Sequence, residues 1–176
     1  GGVSLYALRQ NNMQAIRLRD EVLRVDQADG DVESALKELR EFVYSHMNTD
    51  LAAGPSAIRP PIQLKYRYER LLAAEKERVS NENEKIYTDA QTICEKKFPV
   101  GLSGSGRIPC IQDYVAKQGV AEKPIPDALY KFDFASPRWS PDLAGWGIVI
   151  TAALSMLLII RLVLDFWIKR QLSRHQ

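Results

Sequence analysis

The longest apolar run in the chain lies near its C-terminal end. From Leu143 to Ile160 there are 18 consecutive residues without a charged side chain, and the apolar character continues past Arg161 to Ile168. At about 1.5 Å per residue, a helix of that length spans roughly 27 Å, close to the hydrocarbon thickness of a bilayer. The pattern predicts a transmembrane helix over residues 142–168. The alternative is a buried core helix of a soluble protein.

Tryptophans lie near both ends of this predicted transmembrane helix, whereas basic residues are concentrated after it and are mixed with acidic residues before it. Tryptophan is typical of the membrane–water interface, and Lys and Arg are enriched in cytoplasmic flanks. The positive-inside rule therefore places residues 169–176 as a basic cytoplasmic tail and most of the chain outside the plasma membrane. The predicted membrane-interface anchors are Trp139, Trp146, Trp167, Lys169 and Arg170.

Two features inside the apolar run predict specific contacts. Arg161 and Asp165 are four residues apart, so they share a helix face and can offset each other as an intramembrane polar pair. Such a pair could lie at the headgroup edge or contact another transmembrane helix. Gly147, Thr151 and Ser155 recur every four residues, and a stripe of small residues favours close packing of membrane helices.

Residues 1–119 show the periodicity of a helical domain. A first helix is predicted from about Ser4 to Val25, and a second follows the N-cap candidate Asp31. A linker over 51–61 precedes a third helix, predicted to run from Pro61 to Lys97 and to extend about 54 Å. After a Gly- and Ser-rich loop over 99–107, a short fourth helix is predicted from Ile108 to Lys117.

Residues 1–8 are apolar and lead directly into the first predicted helix. The stretch is too short for a signal peptide or a membrane span. We interpret it as the tail of an upstream membrane helix, and the alternative is a short non-native leader before native sequence.

Residues 120–141 have a different character. Four prolines in this segment oppose a long helix. Apolar residues alternate at Tyr130, Phe132 and Phe134, but the sequence offers no partner for a lone strand. An extended, Pro-rich strap laid across the bundle is therefore predicted. The fold class is all-α, an extracytoplasmic helical bundle or hairpin with one long helix, this strap and a C-terminal transmembrane helix.

Composition narrows the functional classes. Hydrophobic residues make up 45% of the chain and charged residues 26%, which excludes wholesale disorder. The formal net charge is only +2, whereas nucleic-acid-binding domains are usually strongly basic. The predicted partners are thus a lipid bilayer and a protein partner or second copy, with no nucleic acid.

Cys94 and Cys110 enclose 15 residues that contain the Gly- and Ser-rich loop. In an oxidising compartment, a disulfide here would join the third and fourth helices and contribute roughly 3 kcal/mol in the chain-entropy model. The alternative is a buried reduced pair. The extracytoplasmic placement favours the disulfide.

No catalytic constellation is recognisable in the sequence. The G-x-S-x-G, Walker and H-E-x-x-H motifs are absent, and a zinc site at the cysteines would need further ligands that are not nearby. We therefore predict no catalytic residues, no cofactor and no metal site.

Three stretches carry a resemblance to a known group of proteins. They are Tyr44–Leu51, Pro60–Tyr66 and the closing apolar helix. In these stretches the chain resembles uncharacterised membrane-anchored proteins of ultra-small candidate-phylum bacteria. The resemblance implies a bacterial envelope setting and no assigned activity.

The leading functional hypothesis is a non-enzymatic envelope protein that acts through protein contacts, as a scaffold or as a subunit of a membrane complex. The alternative is a sensory or ligand-binding ectodomain that signals through a partner. Convergent polar groups around a pocket would favour the second hypothesis.

Overall fold

The computed structural model describes residues 2–52, 58–99 and 106–172, and most of them are helical, as predicted. A 3-10 turn covers Asp127–Leu129. The helices are α1 (Gly2–Gln27), α2 (Val32–Ser45), α3 (Lys65–Lys97), α4 (Arg107–Gln118) and α5 (Leu143–Leu172), and the strands are β1 (Ile62–Gln63) and β2 (Lys131–Phe132). Parts of the predicted linker 51–61, of the loop 99–107 and of the tail 169–176 lie outside the described residues, as does Gly1.

The chain divides into two compact units. Unit 1 combines residues 1–63 with 131–176, and unit 2 is formed by residues 64–130. In sequence, unit 2 is therefore an insertion between β1 and β2. Unit 1 contains α1, α2 and α5, whereas unit 2 contains α3 and α4.

In unit 1, a tight turn joins α1 to α2. Asp29 has a positive φ of 54°, and the N–H of Gly30 donates to the carbonyl of Val25 over 3.0 Å. Asp31 then caps α2, because its carboxylate accepts from the backbone N–H of Ser34 at 3.0 Å. Hydrogen bonds from the hydroxyl and N–H of Ser34 lower the pKa of Asp31.

The core of unit 1 is built on small residues from α1 and branched aliphatic residues from α2. Apart from Val22, the buried positions of α1 are small or polar, and the large apolar Leu5 is 70% exposed. The buried side chains of α1 and α2 are Ser4, Ala7, Ala15, Val22 and Asp26, and Val32, Leu36, Leu39 and Val43. The small face of α1 allows neighbouring helices to approach it closely.

A short antiparallel ladder joins the two chain segments of unit 1. Ile62 pairs with Phe132 and Gln63 with Lys131, and Ile62 is fully buried. The expectation that the aromatic stretch around Phe132 has no strand partner is therefore wrong. The partner is distant in sequence and only two residues long, so no local pattern indicates it. Because β1 occupies residues 62 and 63, the third helix begins at Lys65 and not at Pro61 as predicted.

Unit 2 consists of the long helix α3 and of the chain that follows it, which returns along α3 in the opposite direction. α3 is continuous from Lys65 to Lys97, including its polar centre. The side-chain amide of Asn83 pairs with the backbone of Val120, donating to its carbonyl at 2.9 Å and accepting from its N–H at 2.8 Å. The ring of Tyr130 lies 4.7 Å from that of Tyr68. These contacts run antiparallel to α3.

Candidate membrane-anchoring site

The apolar surface of α5 is almost entirely exposed. Among the described residues, one helix is long and apolar enough to cross a membrane, the stretch Leu143–Gln171, and none of its most apolar window is buried. A core helix of a soluble protein would bury such side chains against its own fold. The alternative interpretation of this run as a buried core helix does not fit this exposure.

Asp142 marks the beginning of α5. Its Oδ1 accepts a hydrogen bond from the N–H of Gly145 at 2.9 Å, and its carbonyl accepts from the N–H of Trp146 at 3.0 Å. A carboxylate at this position satisfies donors that a helix N-terminus otherwise leaves unpaired. The last charged group before the apolar run therefore also fixes where the helix starts.

A polar collar surrounds this helix start and consists of Asn11, Met47, Ser140 and Asp142. The Asn11 amide donates to Asp142 Oδ2 at 2.7 Å and to the carbonyl of Met47 at 3.3 Å. The hydroxyl of Ser140 accepts from the N–H of Met47 at 3.0 Å. The polar collar thus connects α1, the segment after α2 and the beginning of α5.

Beyond the polar collar, α1 packs directly on α5. A Cβ atom placed on Gly147 would lie 2.6 Å from Ser4 Oγ and 3.3 Å from Ser4 Cβ, so this glycine permits the close approach. Two alanines are buried in this region. Ala144 on α5 is fully buried, and the exposed fraction of Ala7 on α1 is 6%. The two helices run antiparallel, because Asn11 meets Asp142 whereas Ser4 meets Gly147.

The predicted small-residue stripe begins in this contact. Gly147 faces Ser4 of the same chain, and Thr151 is half-buried. The hydroxyl of Thr151 donates to the carbonyl of Gly147 at 2.7 Å, and that of Ser155 donates to the carbonyl of Thr151 at 2.8 Å. Ser155 is exposed. The role of the stripe in contacts with another membrane helix stays a prediction.

The predicted anchors lie at both ends of α5. The rings of Trp139 and Trp146 meet edge to face with centroids 6.0 Å apart, and both are about half exposed. Trp167 is exposed in the last turns, where Lys169 and Arg170 close the helix. The structure thus places two tryptophans together beside the polar collar and one near the far end.

Arg161 and Asp165 both lie on α5, one turn apart and exposed. Within the described part of the chain, no hydrogen bond or ion pair joins their side chains. Their pairing inside a membrane therefore stays a prediction.

In unit 2, Cys94 and Cys110 lie at disulfide distance, with their Sγ atoms 2.05 Å apart. The predicted pairing of α3 with α4 through these residues is confirmed at the level of distance. Cys94 is fully buried. The pair closes a chain segment with a sequence separation of 16 residues.

A small groove of about 100 Å³ lies in unit 1 between α2 and β2. It is lined by Glu33, Leu36, Lys37, Arg40, Phe132 and Phe134. No group of three or more His, Cys, Asp or Glu side chains is placed to hold a metal ion within residues 2–52, 58–99 and 106–172.

The polar collar was not predicted from the sequence. One part of it carries a recognisable signal, because Asp142 directly precedes an apolar helical run and Asp is a preferred N-cap residue. Asn11 carries no such signal, since its partner lies 131 positions away.

Comparisons with known proteins identify no family for this chain. No protein-family model matches the chain, and no match is found among curated proteins or among solved structures. The resemblance to membrane-anchored proteins of candidate-phylum bacteria therefore stays a prediction.

Proposed function

We propose that this protein is a membrane-anchored, non-enzymatic protein of the cell envelope that acts through protein contacts, as a scaffold or as a subunit of a membrane complex. α5 is the anchor, and the polar collar lies at the membrane–water boundary. The rest of the described chain lies on the extracytoplasmic side, and the C-terminus is cytoplasmic.

The observation that carries the proposal is the exposure of α5. Burying a large aliphatic or aromatic side chain is worth about 1.5–3 kcal/mol relative to leaving it in water. α5 presents more than a dozen such side chains, among them Leu154, Leu158 and Phe166, without burying them. A bilayer removes this surface from water without requiring a larger fold, and the length of α5 is sufficient to cross one.

The charges at the two ends support the orientation. Lys169 and Arg170 lie in the last turn of α5, whereas Asp142 lies at its beginning. Positive residues are retained on the cytoplasmic side during insertion. An extracytoplasmic location of unit 2 also agrees with the paired cysteines, since disulfides persist in oxidising compartments.

Exposed apolar side chains of unit 2 are the candidate contact positions for a protein partner. Exposed aromatic and aliphatic anchors typically carry much of the energy of an interface. The exposed large apolar residues of α3 and α4 are Tyr66, Tyr87, Ile93 and Ile108.

Site-specific photo-cross-linking in native membranes tests the proposal. A photoreactive residue at Tyr87 is expected to give a discrete adduct with a partner or a second copy. The matched control is the exposed polar position Glu84 on the same helix. A protein that forms no adduct from Tyr87, Ile93 or Ile108 and remains monomeric in lipid would contradict a role through protein contacts.

One observation favours the second candidate function, a ligand-binding ectodomain that signals through a partner. The groove in unit 1 is lined by two basic residues, Lys37 and Arg40, against one acidic residue, Glu33. The rings of Phe132 and Phe134 lie beside them, and this net basic lining is suited to a small anionic ligand. Titration calorimetry with citrate and inorganic phosphate tests it. Binding that is lost in Arg40→Ala but retained in the exposed-site control Arg17→Ala would support this function. If neither citrate nor phosphate gives a binding heat with the parent protein, this second function is contradicted.

A further inference from the structure

The antiparallel contact of α1 with α5 places the first turns of α1 beyond the polar collar, on the side toward which α5 continues. Asn11 is level with Asp142, and Ser4 is level with Gly147. Gly147 is four residues past the first residue of α5, which corresponds to about 6 Å along the helix. The residues before Ser4 extend further in the same direction.

The charges on α5 determine where the hydrocarbon core begins. The uncharged run from Leu143 to Ile160 fills roughly 27 Å, nearly the full thickness of a hydrocarbon core. A core that begins near Leu143 leaves Arg161 and Asp165 at its far edge. A core that begins one or two turns later encloses Arg161, and an enclosed charge is costly. The first placement is favoured, so the near boundary lies at the level of the polar collar.

The first turns of α1 have the composition that this depth requires. From Gly2 to Leu8 there is no charged residue, and Arg9 is the first one. Val3, Leu5 and Tyr6 are more than 60% exposed, so unit 1 itself does not cover them. They lie on the helix that contacts α5 at Ser4 and Gly147, and the uncharged part of α5 also exposes large apolar side chains, among them Ile150 and Leu154.

We propose that residues 2–8 of α1 are a second membrane-embedded segment, which inserts beside α5 and places Val3, Leu5 and Tyr6 against lipid acyl chains. This inference rests on the proposed anchoring by α5. The membrane site then consists of two antiparallel helices in contact at Ser4 and Gly147, and the hydrogen bond between Asn11 and Asp142 closes it at the water boundary. With two inserted helices, unit 1 has a fixed depth and orientation relative to the membrane surface, which a single helix would not impose.

Depth-dependent spin labelling of the full chain in vesicles of phosphatidylcholine and phosphatidylglycerol tests the inference. The only two cysteines form the Cys94–Cys110 pair, so an introduced cysteine is the single reactive thiol. Labels are placed at Leu5→Cys, at Leu158→Cys in the middle of α5, and at Gln14→Cys, an exposed position of α1 on the water side of the polar collar. Collision rates with lipid-soluble oxygen and with a water-soluble nickel chelate are compared.

The expected result is an oxygen-to-nickel ratio at residues 5 and 158 that is severalfold higher than at residue 14. A high ratio at residue 158 together with a low ratio at residue 5 overturns the inference and leaves the anchoring by α5 intact. A low ratio at residue 158 overturns the anchoring itself. Low collision rates with both reagents at residue 5 would indicate burial against a second copy and would also overturn insertion into lipid. Tyr6→Cys repeats the measurement if the label at residue 5 disturbs folding, as judged by circular dichroism.

Discussion

The side-chain amide of Asn11 donates a 2.7 Å hydrogen bond to Oδ2 of Asp142, so a residue in the middle of α1 holds the residue that caps α5. The same amide donates to the carbonyl of Met47, which connects the segment after α2. The side chain of Asn11 therefore connects α1, the segment after α2 and the beginning of α5 at the proposed membrane–water boundary.

Replacing Asn11 by Leu is expected to weaken this junction. The substitution removes the donor that Asn11 supplies to Asp142 Oδ2 and to the Met47 carbonyl, and a hydrogen bond to a charged group contributes about 1.5–3 kcal/mol. Thermal unfolding of the detergent-solubilised protein, followed by circular dichroism, should show a lower Tm. Gln14→Leu at an exposed position of the same helix is the control. Equal Tm values for the two variants would show that the amide does not stabilise the junction.

Replacing Gly145 by Ala is expected to distort the beginning of α5. A Cβ atom at this position would lie well inside contact distance of the backbone carbonyl of Ser140, which cannot move aside as a side chain could. Overpacking of this kind costs about 1–3 kcal/mol. Gly2→Ala is the matched control, because nothing lies within 4 Å of its added methyl group. The measurement is again Tm in detergent, and an unchanged Tm for Gly145→Ala would refute the close packing of Ser140 on α5.

Protonation of Glu75 is expected to loosen unit 2 at low pH. Hydrogen bonds from the Arg78 guanidinium and then from the Lys123 N–H lower the pKa of Glu75 from 4.5 to about 2. Because the pKa of the folded state is the lower one, ionised Glu75 stabilises the fold above about pH 4.5, and this stabilisation is lost as the pH falls toward 2.

Thermal unfolding of the full chain at a series of pH values measures this loss. Glu75→Gln should reduce the drop in Tm between about pH 5 and about pH 2.5, because both values lie inside the range, roughly pH 5 to pH 1, over which linkage removes this stabilisation. The exposed Glu77→Gln should leave the pH profile of the parent protein unchanged. A parent-like profile for Glu75→Gln would contradict the assigned contacts of Glu75.

The Cys94–Cys110 pair is expected to be oxidised in protein isolated from its native membrane. Alkylation under denaturing conditions without reductant should leave both thiols unmodified, and alkylation after reduction should modify both, as read by peptide mass spectrometry. A double Cys94→Ser, Cys110→Ser variant should lose about 3 kcal/mol of stability, since the closed segment spans about 16 residues. Full alkylation of unreduced protein would argue against an oxidising compartment.

Local patterns in the sequence were sufficient to predict most helices. Val32, Leu36 and Leu39 recur at helical spacing, and the uncharged run from Leu143 has the length of a membrane helix, so neither prediction needs tertiary information. Both helices are present where those patterns lie. The pairing of Cys94 with Cys110 was also accessible, because two cysteines on consecutive helices leave few alternatives.

Contacts between distant segments could not be predicted in this way. The ladder of Ile62 with Phe132, the contact of Ser4 with Gly147 and the hydrogen bond of Asn11 with Asp142 all join positions far apart in sequence. For the same reason the sequence did not indicate that unit 2 is inserted within unit 1. The packing face of α1 has no clear sequence signal for another reason: it consists largely of small residues such as Ser4, Ala7 and Ala15, whereas a helical repeat is recognised from large apolar residues.

The central claim, that α5 crosses the membrane and separates the bulk of the chain from its C-terminal end, is tested most directly by two-sided thiol labelling. Single cysteines are introduced at Ala135, exposed before α5, and at Gln171, exposed at its end. In intact cells a membrane-impermeant maleimide should label Ala135→Cys, and it should label Gln171→Cys only after the membrane is permeabilised. Equal labelling of both positions without permeabilisation, or labelling of Gln171→Cys alone, would contradict the account.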